Sequence, residues 1–394
     1  MGSHPALAGV AECASASRLL GGHSSLALAG GGNTSWKDAD TVHVKASGYS
    51  LATLSVEGFA AVDRAGLADL MQDPPAGDGA LLDAMAALQD AVPPKVPSIE
   101  APVHHVIPAA TVLHTHADAI VTLTNAVGWR DHVDAALGAV TARLDYFKPG
   151  LDLSREVADL VREGRLAVGE AADIATGLVL RHHGLFTAAD RAEDAYTHHI
   201  ALVRRAQEYI AAHTGIAVGR SEALDAVIDS ATDADPALVA RISEAAGAPR
   251  TVVEVTSPGS TQFLSRDDIP SITQRGTATL EHVIYTKRVP CLGTTAADID
   301  QYVANYGAYF ERWRDERGEN ISMLSPEPRV LLDGGRMFAV GKDRAQASLV
   351  ASVYLHTMGV IMAAEGLGGY SPVSEGDSFD IEYWELEQRK LRSS

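Results

Sequence analysis

Two spacings of apolar residues run through the chain and set its expected elements. Short apolar or alternating runs bounded by turn residues predict strands at Leu26-Ala27-Leu28-Ala29, Val42 to Gly48, Thr111 to His116, Ala142-Arg143-Leu144 and over 177–182. Helical spacing predicts helices over 5–20, 78–91, 117–125, 129–138, 153–163 and 191–213. The last of these carries Tyr196, Ile200, Val203 and Ile210 as one stripe. Gly30 to Ser35 reads as the turn between the first two strands. Pro93-Pro94 stops the second helix, and Pro97-Ser98-Ile99-Glu100 opens another with Ser98 as its cap.

Helices and strands thus alternate over 1–214, which predicts an α/β domain around one mixed sheet. A polar stretch at 215–235 reads as a linker, and 236–394 as a smaller α+β domain. In that domain a helix at 236–246 precedes an apolar strand at 251–255, the loop Ser257-Pro258-Gly259-Ser260 and an extended segment His282-Val283-Ile284-Tyr285. Helices near 297–315 and 343–364 flank a hairpin, Arg329 to Leu332 and Met337 to Val340, turned by Asp333-Gly334-Gly335.

Composition narrows the classes. With 46% hydrophobic and 21% charged residues the chain can bury a sizeable core, which removes the disordered classes. A formal charge of -19, from 32 basic against 51 acidic residues, disfavours nucleic acid and anionic membranes as partners. Cys13 and Cys291 form no CxxC pair, so a reducing compartment is expected. There is no signal-peptide pattern, and no uninterrupted apolar run approaches the roughly 18–20 residues that span a bilayer. A cytoplasmic protein without a membrane partner is the expectation.

Candidate chemistry centres on Thr111 to Asp118. In an extended chain His114 and His116 project from one face and can grip one divalent cation, but such sites take three or four protein donors. Arg181-His182-His183-Gly184 offers a third histidine, and Ser98-Ile99-Glu100 a carboxylate that either ligates the metal or acts as a base. His104, four residues after Glu100, shares its helix face and reads as a supporting residue. Gly32, Asn33, Thr34, Ser47 and Gly48, with Lys45 nearby, can form a nest of amides and hydroxyls around a phosphate. Neither glycine loop fits GxGxxG or GxxxxGK[ST], so no nucleotide fold is inferred.

The ordered segments GGNTSWK, VKASG, PSIEAP, VLHTHADAIVTLTN and RHHGLFT resemble the class II aldolase/adducin family. The stretches EHVIYTKRVP, LSPEPRVLLDGGRMFAVGK and SFDIEYWELEQRKL are similar to the end of the aldolase half of bifunctional rhamnulose-1-phosphate aldolase/alcohol dehydrogenases. Those proteins continue into a short-chain dehydrogenase domain, whereas this sequence ends at Ser394. The resemblance implies the aldolase half alone, with a three-layer catalytic domain around a central mixed sheet.

It further implies that His114, His116 and His183 bind Zn2+, or Mn2+ or Co2+ in its place, with Glu100 as the catalytic carboxylate and a ligand when no substrate is bound. Gly32-Asn33, Ser47-Gly48 and Ser98 match turns that hold a substrate phosphate; Ile99 departs from the paired serines of fuculose-type enzymes. The implied reaction cleaves a ketose 1-phosphate, such as rhamnulose 1-phosphate, to dihydroxyacetone phosphate and a small aldehyde through a metal-stabilised enediolate. Tyr146, Tyr285 and Tyr383 are the candidate acids for the departing aldehyde. A homo-oligomer, with a C4 tetramer favoured, follows from the same family. Dehydratase, epimerase or decarboxylase chemistry on the same metal stands as the alternative, and a non-catalytic adducin-like assembly module as a further one.

Overall fold

The computed structural model describes residues 5–138, 141–166, 177–219, 228–229, 231–317 and 321–386. The chain forms two compact units, one of 1–124 with 128–219 and one of 125–127 with 220–394. Residues 220–227 and 230 of the expected linker lie outside the described residues; within it, Thr232–Asp233 is a strand paired with the second unit's sheet.

The first unit opens with α1 (Pro5–Gly21), β1 (Asn33–Lys37), β2 (Thr41–Lys45), β3 (Phe59–Asp63), α2 (Arg64–Gln72), α3 (Asp78–Ala87) and α4 (Ala101–Val106). It continues through β4 (Thr111–Thr115), α5 (Asp118–Thr124), α6 (Trp129–Leu137), β5 (Thr141–Leu144), α7 (Leu151–Arg162), β6 (Gly177–Leu180), β7 (Gly184–Ala189) and α8 (Ala192–Thr214). The seven strands run in the order β3-β2-β1-β4-β7-β6-β5, antiparallel throughout except for the β5–β6 pair.

Alternation along β4 divides the core. Val112 joins Val103, Ile107, Val157 and Phe186 in an apolar cluster under α4 and α7. On the opposite face Thr115 and Thr187 give or take hydrogen bonds at His199 of α8, at 2.7 and 2.9 Å. The sheet is therefore buried between two helical layers, which is why β4 has no exposed residue.

Two expectations shift here. Leu26 to Ala29 is a turn, closed by the amides of Leu26 and Ala27 on the carbonyl of His23, and the strand runs from Asn33 instead. The Ser, Thr and Trp side chains of 34–36 suit a pleated surface between two partners, whereas four residues of Leu and Ala carry no β preference. The helix after Pro97 starts only at Ala101, because Pro97 bridges Ala46 and Ser98 accepts from the amide of Glu100 at 3.2 Å.

The second unit contains β8 (Thr232–Asp233), α9 (Pro236–Ala246), β9 (Thr251–Val255), α10 (Pro258–Leu264), α11 (Ile269–Ile272), α12 (Leu280–Thr286), β10 (Cys291–Leu292) and α13 (Ala296–Arg317). It ends with β11 (Val330–Asp333), β12 (Arg336–Gly341), α14 (Arg344–Gly366) and α15 (Glu375–Glu382). Its five strands lie in the order β10-β11-β12-β9-β8. His282 to Tyr285 is helical rather than extended, because the Thr279 hydroxyl accepts from the amide of His282 and starts α12. Ser257 likewise caps α10, so the expected loop at 257–260 is a helix start.

One described helix, α14, is long and apolar enough to cross a membrane, with a mean hydropathy of 1.6 over its most apolar window. Ser348, Ser352, His356 and Thr357 interrupt it, so no uninterrupted apolar run of that length is present in this helix, as expected, although its mean hydropathy is high. Of the window, 78% is buried inside the protein, the setting of a core helix, and Thr357 satisfies its hydroxyl on the carbonyl of Val353.

Candidate metal centre

His114 stands near the end of β4, on the α4 side of the sheet. Its ring stacks on Phe186 of β7, its cross-strand neighbour, at 3.9 Å between centroids. Its Nδ1 lies 3.1 Å from the carbonyl of Leu185. A carbonyl only accepts, so Nδ1 carries the proton and Nε2 presents a lone pair.

His183 comes from the tight turn joining β6 to β7, where Leu180 and Gly184 pair across three residues. His182 takes φ 56° there, and its amide donates to the hydroxyl of Thr124 at 3.3 Å. Gly184 is required by space: a Cβ at that position would stand 2.1 Å from the carbonyl oxygen of Thr115. The close approach of the turn to the end of β4 places His183 Nε2 at 3.2 Å from His114 Nε2. His116, just past β4, puts its own Nε2 at 3.1 Å from the same atom.

The three imidazoles each offer one ligand atom, all within 4.8 Å of one another. Nitrogens bound tetrahedrally at about 2.05 Å lie roughly 3.3 Å apart, so the separations of 3.1 and 3.2 Å fit one small cation. Burial, then the neighbouring imidazoles, drives His114 and His183 far below the usual histidine range. Both are therefore neutral and able to ligate at ordinary pH. Glu100 lies beside these nitrogens, with Oε1 3.6 Å from His183 Nε2 and Oε2 3.8 Å from His114 Nε2. Three imidazoles and a carboxyl group form a donor set for a borderline divalent cation.

Glu100 is held from β1. Asn33 donates Nδ2 to Glu100 Oε2 at 2.6 Å and to the Ser98 hydroxyl at 3.2 Å. Because that nitrogen faces acceptors, the Asn33 carbonyl oxygen faces His104 Nε2, which must donate. His104 Nδ1 then accepts from the Ser35 hydroxyl at 2.7 Å. Burial, followed by Lys37, pushes His104 down to about 3, so the ring is neutral as this arrangement requires. Lys37 donates to the carbonyl of His104 at 2.7 Å, and burial with Arg64 nearby brings its own ammonium down to about 7. Spacing carries one signal of this support, the placement of His104 four residues after Glu100. The Asn33 link has no local signature.

Of the expected phosphate nest, Asn33 and Ser98 stand beside Glu100, and Gly32 at φ 73° leaves its Cβ position only 2.7 Å from the carbonyl of His114. Ser47 and Gly48 are exposed on a turn tied to the Ser98 loop, the Ser47 amide donating to Val96 at 2.8 Å. Two side chains do not fit the expectation. Thr34 points to the other face of β1, where its hydroxyl meets that of Ser17 at 2.7 Å. Lys45 gives Nζ to the carbonyl of Tyr49, within its own loop, at 2.8 Å. Strand alternation puts Asn33 and Ser35 on one face and Thr34 on the other. Of the candidate acids, Tyr146 follows β5 in the first unit, whereas Tyr285 and Tyr383 belong to the second; the Tyr383 hydroxyl is engaged with Tyr306 at 2.7 Å.

Comparison with known proteins covers both units. Residues 11–210 match the family model for the class II aldolase and adducin N-terminal domain, and 229–391 that for the second domain of class II aldolase. An uncharacterized oxidoreductase of Bacillus subtilis (strain 168), YuxG, is 26% identical over 419 residues, covering 97% of this chain. The chain spans 58% of that relative's length. The N-terminal class II aldolase domain of a conserved Thermoplasma acidophilum protein is 32% identical, covering 50% of this chain and 92% of that one, with a TM-score of 0.45. L-fuculose-1-phosphate aldolase of Thermus thermophilus is 19% identical, covering 52% and 95%, with a TM-score of 0.36.

Proposed function

The chain belongs to the class II aldolase and adducin family, and from that premise we propose that its first unit is a metal-dependent lyase. Its substrate is a ketose 1-phosphate such as rhamnulose 1-phosphate, and its products are dihydroxyacetone phosphate and a small aldehyde. The observation that carries the reading is the meeting of three imidazole nitrogens, with the Glu100 carboxyl group beside two of them. An assembly module without catalysis has no use for such a donor set, two of whose imidazoles are buried.

His114, His116 and His183 hold the cation, which we take to be zinc; manganese or cobalt suits the same donors. When bound, a divalent cation there supplies a Lewis acid for negative charge developing on oxygen beside the breaking carbon–carbon bond. Glu100 carries the proton to and from the carbon of that bond which dihydroxyacetone phosphate retains. Asn33 fixes Oε2, so Oε1 is the oxygen on the His183 side. Gly32, Asn33, Ser47, Gly48 and Ser98 receive the phosphate with amides and short polar side chains. We further propose a homo-oligomer, with four copies as the expected assembly.

Incubating zinc-loaded protein with a panel of ketose 1-phosphates and weighing the products tests the reading. Dihydroxyacetone phosphate with an aldehyde is expected, and Glu100→Gln should lower the rate by about 10²–10⁴-fold. Loss of water or carbon dioxide, or conversion without a change of mass, would transfer the site to dehydratase, decarboxylase or epimerase chemistry.

A further inference from the structure

The second unit holds a cavity of about 270 Å³, close to the small end of the range for metabolite sites. One wall is a face of α13, where Tyr302, Tyr306 and Tyr309 recur at helical spacing; the first two rings are nearly parallel, 9° apart in plane and 6.5 Å between centroids. Arg288, Arg312 and Glu375 also line it.

The contacts among these charged groups indicate what the cavity takes. Glu375, in the first turn of α15, accepts from Arg312 Nη1 and from Trp313 Nε1, the latter at 3.0 Å, and lies 3.4 Å from Arg288 Nη2. One carboxylate is thus already seated between two guanidinium groups, each meeting it through one nitrogen, and guanidinium pairs readily with carboxylate and phosphate. Arg288 Nη2 also donates to the carbonyl of Arg275 at 3.0 Å, while its Nε is buried without a hydrogen-bond partner among the described residues. Two guanidinium cations against the single carboxylate of Glu375 give these three groups a surplus of positive charge, in a chain whose formal charge is -19. Such a patch draws anions from solution.

Behind the wall a second network keeps the rings in place. Tyr306 donates to Glu382 at 2.7 Å and shares a 2.7 Å contact with the Tyr383 hydroxyl, while the Lys287 ammonium sits 4.0 Å from the Tyr306 ring centroid. A wall fixed before binding loses little freedom when a ligand arrives.

We propose that this cavity binds a small organic anion, its carboxylate or phosphate displacing Glu375 from between Arg288 and Arg312 and its body packing on Tyr302, Tyr306 and Tyr309. The site shares no residue with the histidine centre, so the proposal stands or falls independently of the lyase reading.

The 394-residue chain is titrated with benzoate, glycerol 3-phosphate and inorganic phosphate by calorimetry, with fluorescence of the unsubstituted chain against Trp313→Phe as a local report. An organic anion should saturate a site that changes the Trp313 signal. Arg288→Met and Arg312→Met should each weaken it about tenfold or more, as expected for loss of a charged hydrogen bond. Glu375→Gln should tighten it, because the internal competitor loses its charge, and His183→Ala should leave it unchanged. Circular dichroism and thermal melts of each variant separate lost binding from lost folding. Absence of saturable binding at millimolar concentration would overturn the proposal, as would weakening by Glu375→Gln in a folded variant. Inorganic phosphate binding as tightly as both organic anions would remove the tyrosine wall from the site and overturn it too, and loss of binding in His183→Ala would move the anion to the first unit.

Discussion

Asn33 ties β1 to the carboxyl group of Glu100 through its amide nitrogen and takes a hydrogen bond from His104 on its carbonyl oxygen. Removing it takes the 2.6 Å hydrogen bond from Glu100, while His114 keeps its bond to the Leu185 carbonyl. Asn33→Ala should therefore lower turnover and metal affinity by about 10–100-fold with little change of melting temperature, a loss typical for groups that orient ligands. Steady-state kinetics and metal competition on the same sample check it. The histidines and Glu100 are recognisable in the sequence because their motifs are short and contiguous. The Asn33–His104–Ser35 chain is not, since it joins residues 69 and 71 positions apart through a pairing that no local pattern announces.

Buried histidines also set a pH response. Burial holds His104, His182 and His199 down to about 3, whereas in an unfolded chain each titrates near its ordinary value of about 6.5. As pH falls below about 6.5 the unfolded chain takes up protons that the folded one refuses, so stability is full above that pH and declines toward 3. Each such group contributes a slope of up to about 1.4 kcal/mol per pH unit in that window. Urea melts of metal-free protein should show midpoints that fall steadily from pH 7 to 5; a flat profile would contradict the neutral, buried state of these rings.

Strand alternation makes the prediction at the scale of elements. Thr34 and Asn33 are adjacent in sequence but lie on opposite faces of β1. Thr34→Val should leave KM for a sugar phosphate unchanged, while Ser98→Ala raises it; equal effects would contradict the assignment of faces. At the β6–β7 turn, Gly184→Ala forces a methyl to within 2.1 Å of a backbone oxygen, so something must shift. Overpacking of this kind costs about 1–3 kcal/mol, and the turn that would move is the one carrying His183, so metal affinity should fall as well. Thermal melts with and without zinc separate the two effects.

Sequence pattern locates most elements and misplaces those whose identity depends on partners. Leu26 to Ala29 is apolar but finds no strand to pair with, whereas the polar Asn33 to Lys37 has one on each side. His282 to Tyr285 reads as extended from its β-branched centre, and the hydroxyl of Thr279 decides for helix.

At the scale of the whole molecule, two units match two consecutive family domains, and the chain covers 58% of the length of its Bacillus subtilis relative. Light scattering at working concentration should give four copies. A fully active monomer would contradict that assembly.

The central claim is that His114, His116 and His183 share one divalent ion, and X-ray absorption of the zinc-loaded chain addresses it directly. One zinc per chain is expected, with about three imidazole nitrogens near 2.0–2.1 Å, a signature lost together with the bound metal in His183→Ala. Zinc retained at full stoichiometry in that folded variant, or a wild-type spectrum without imidazole scattering, would contradict it.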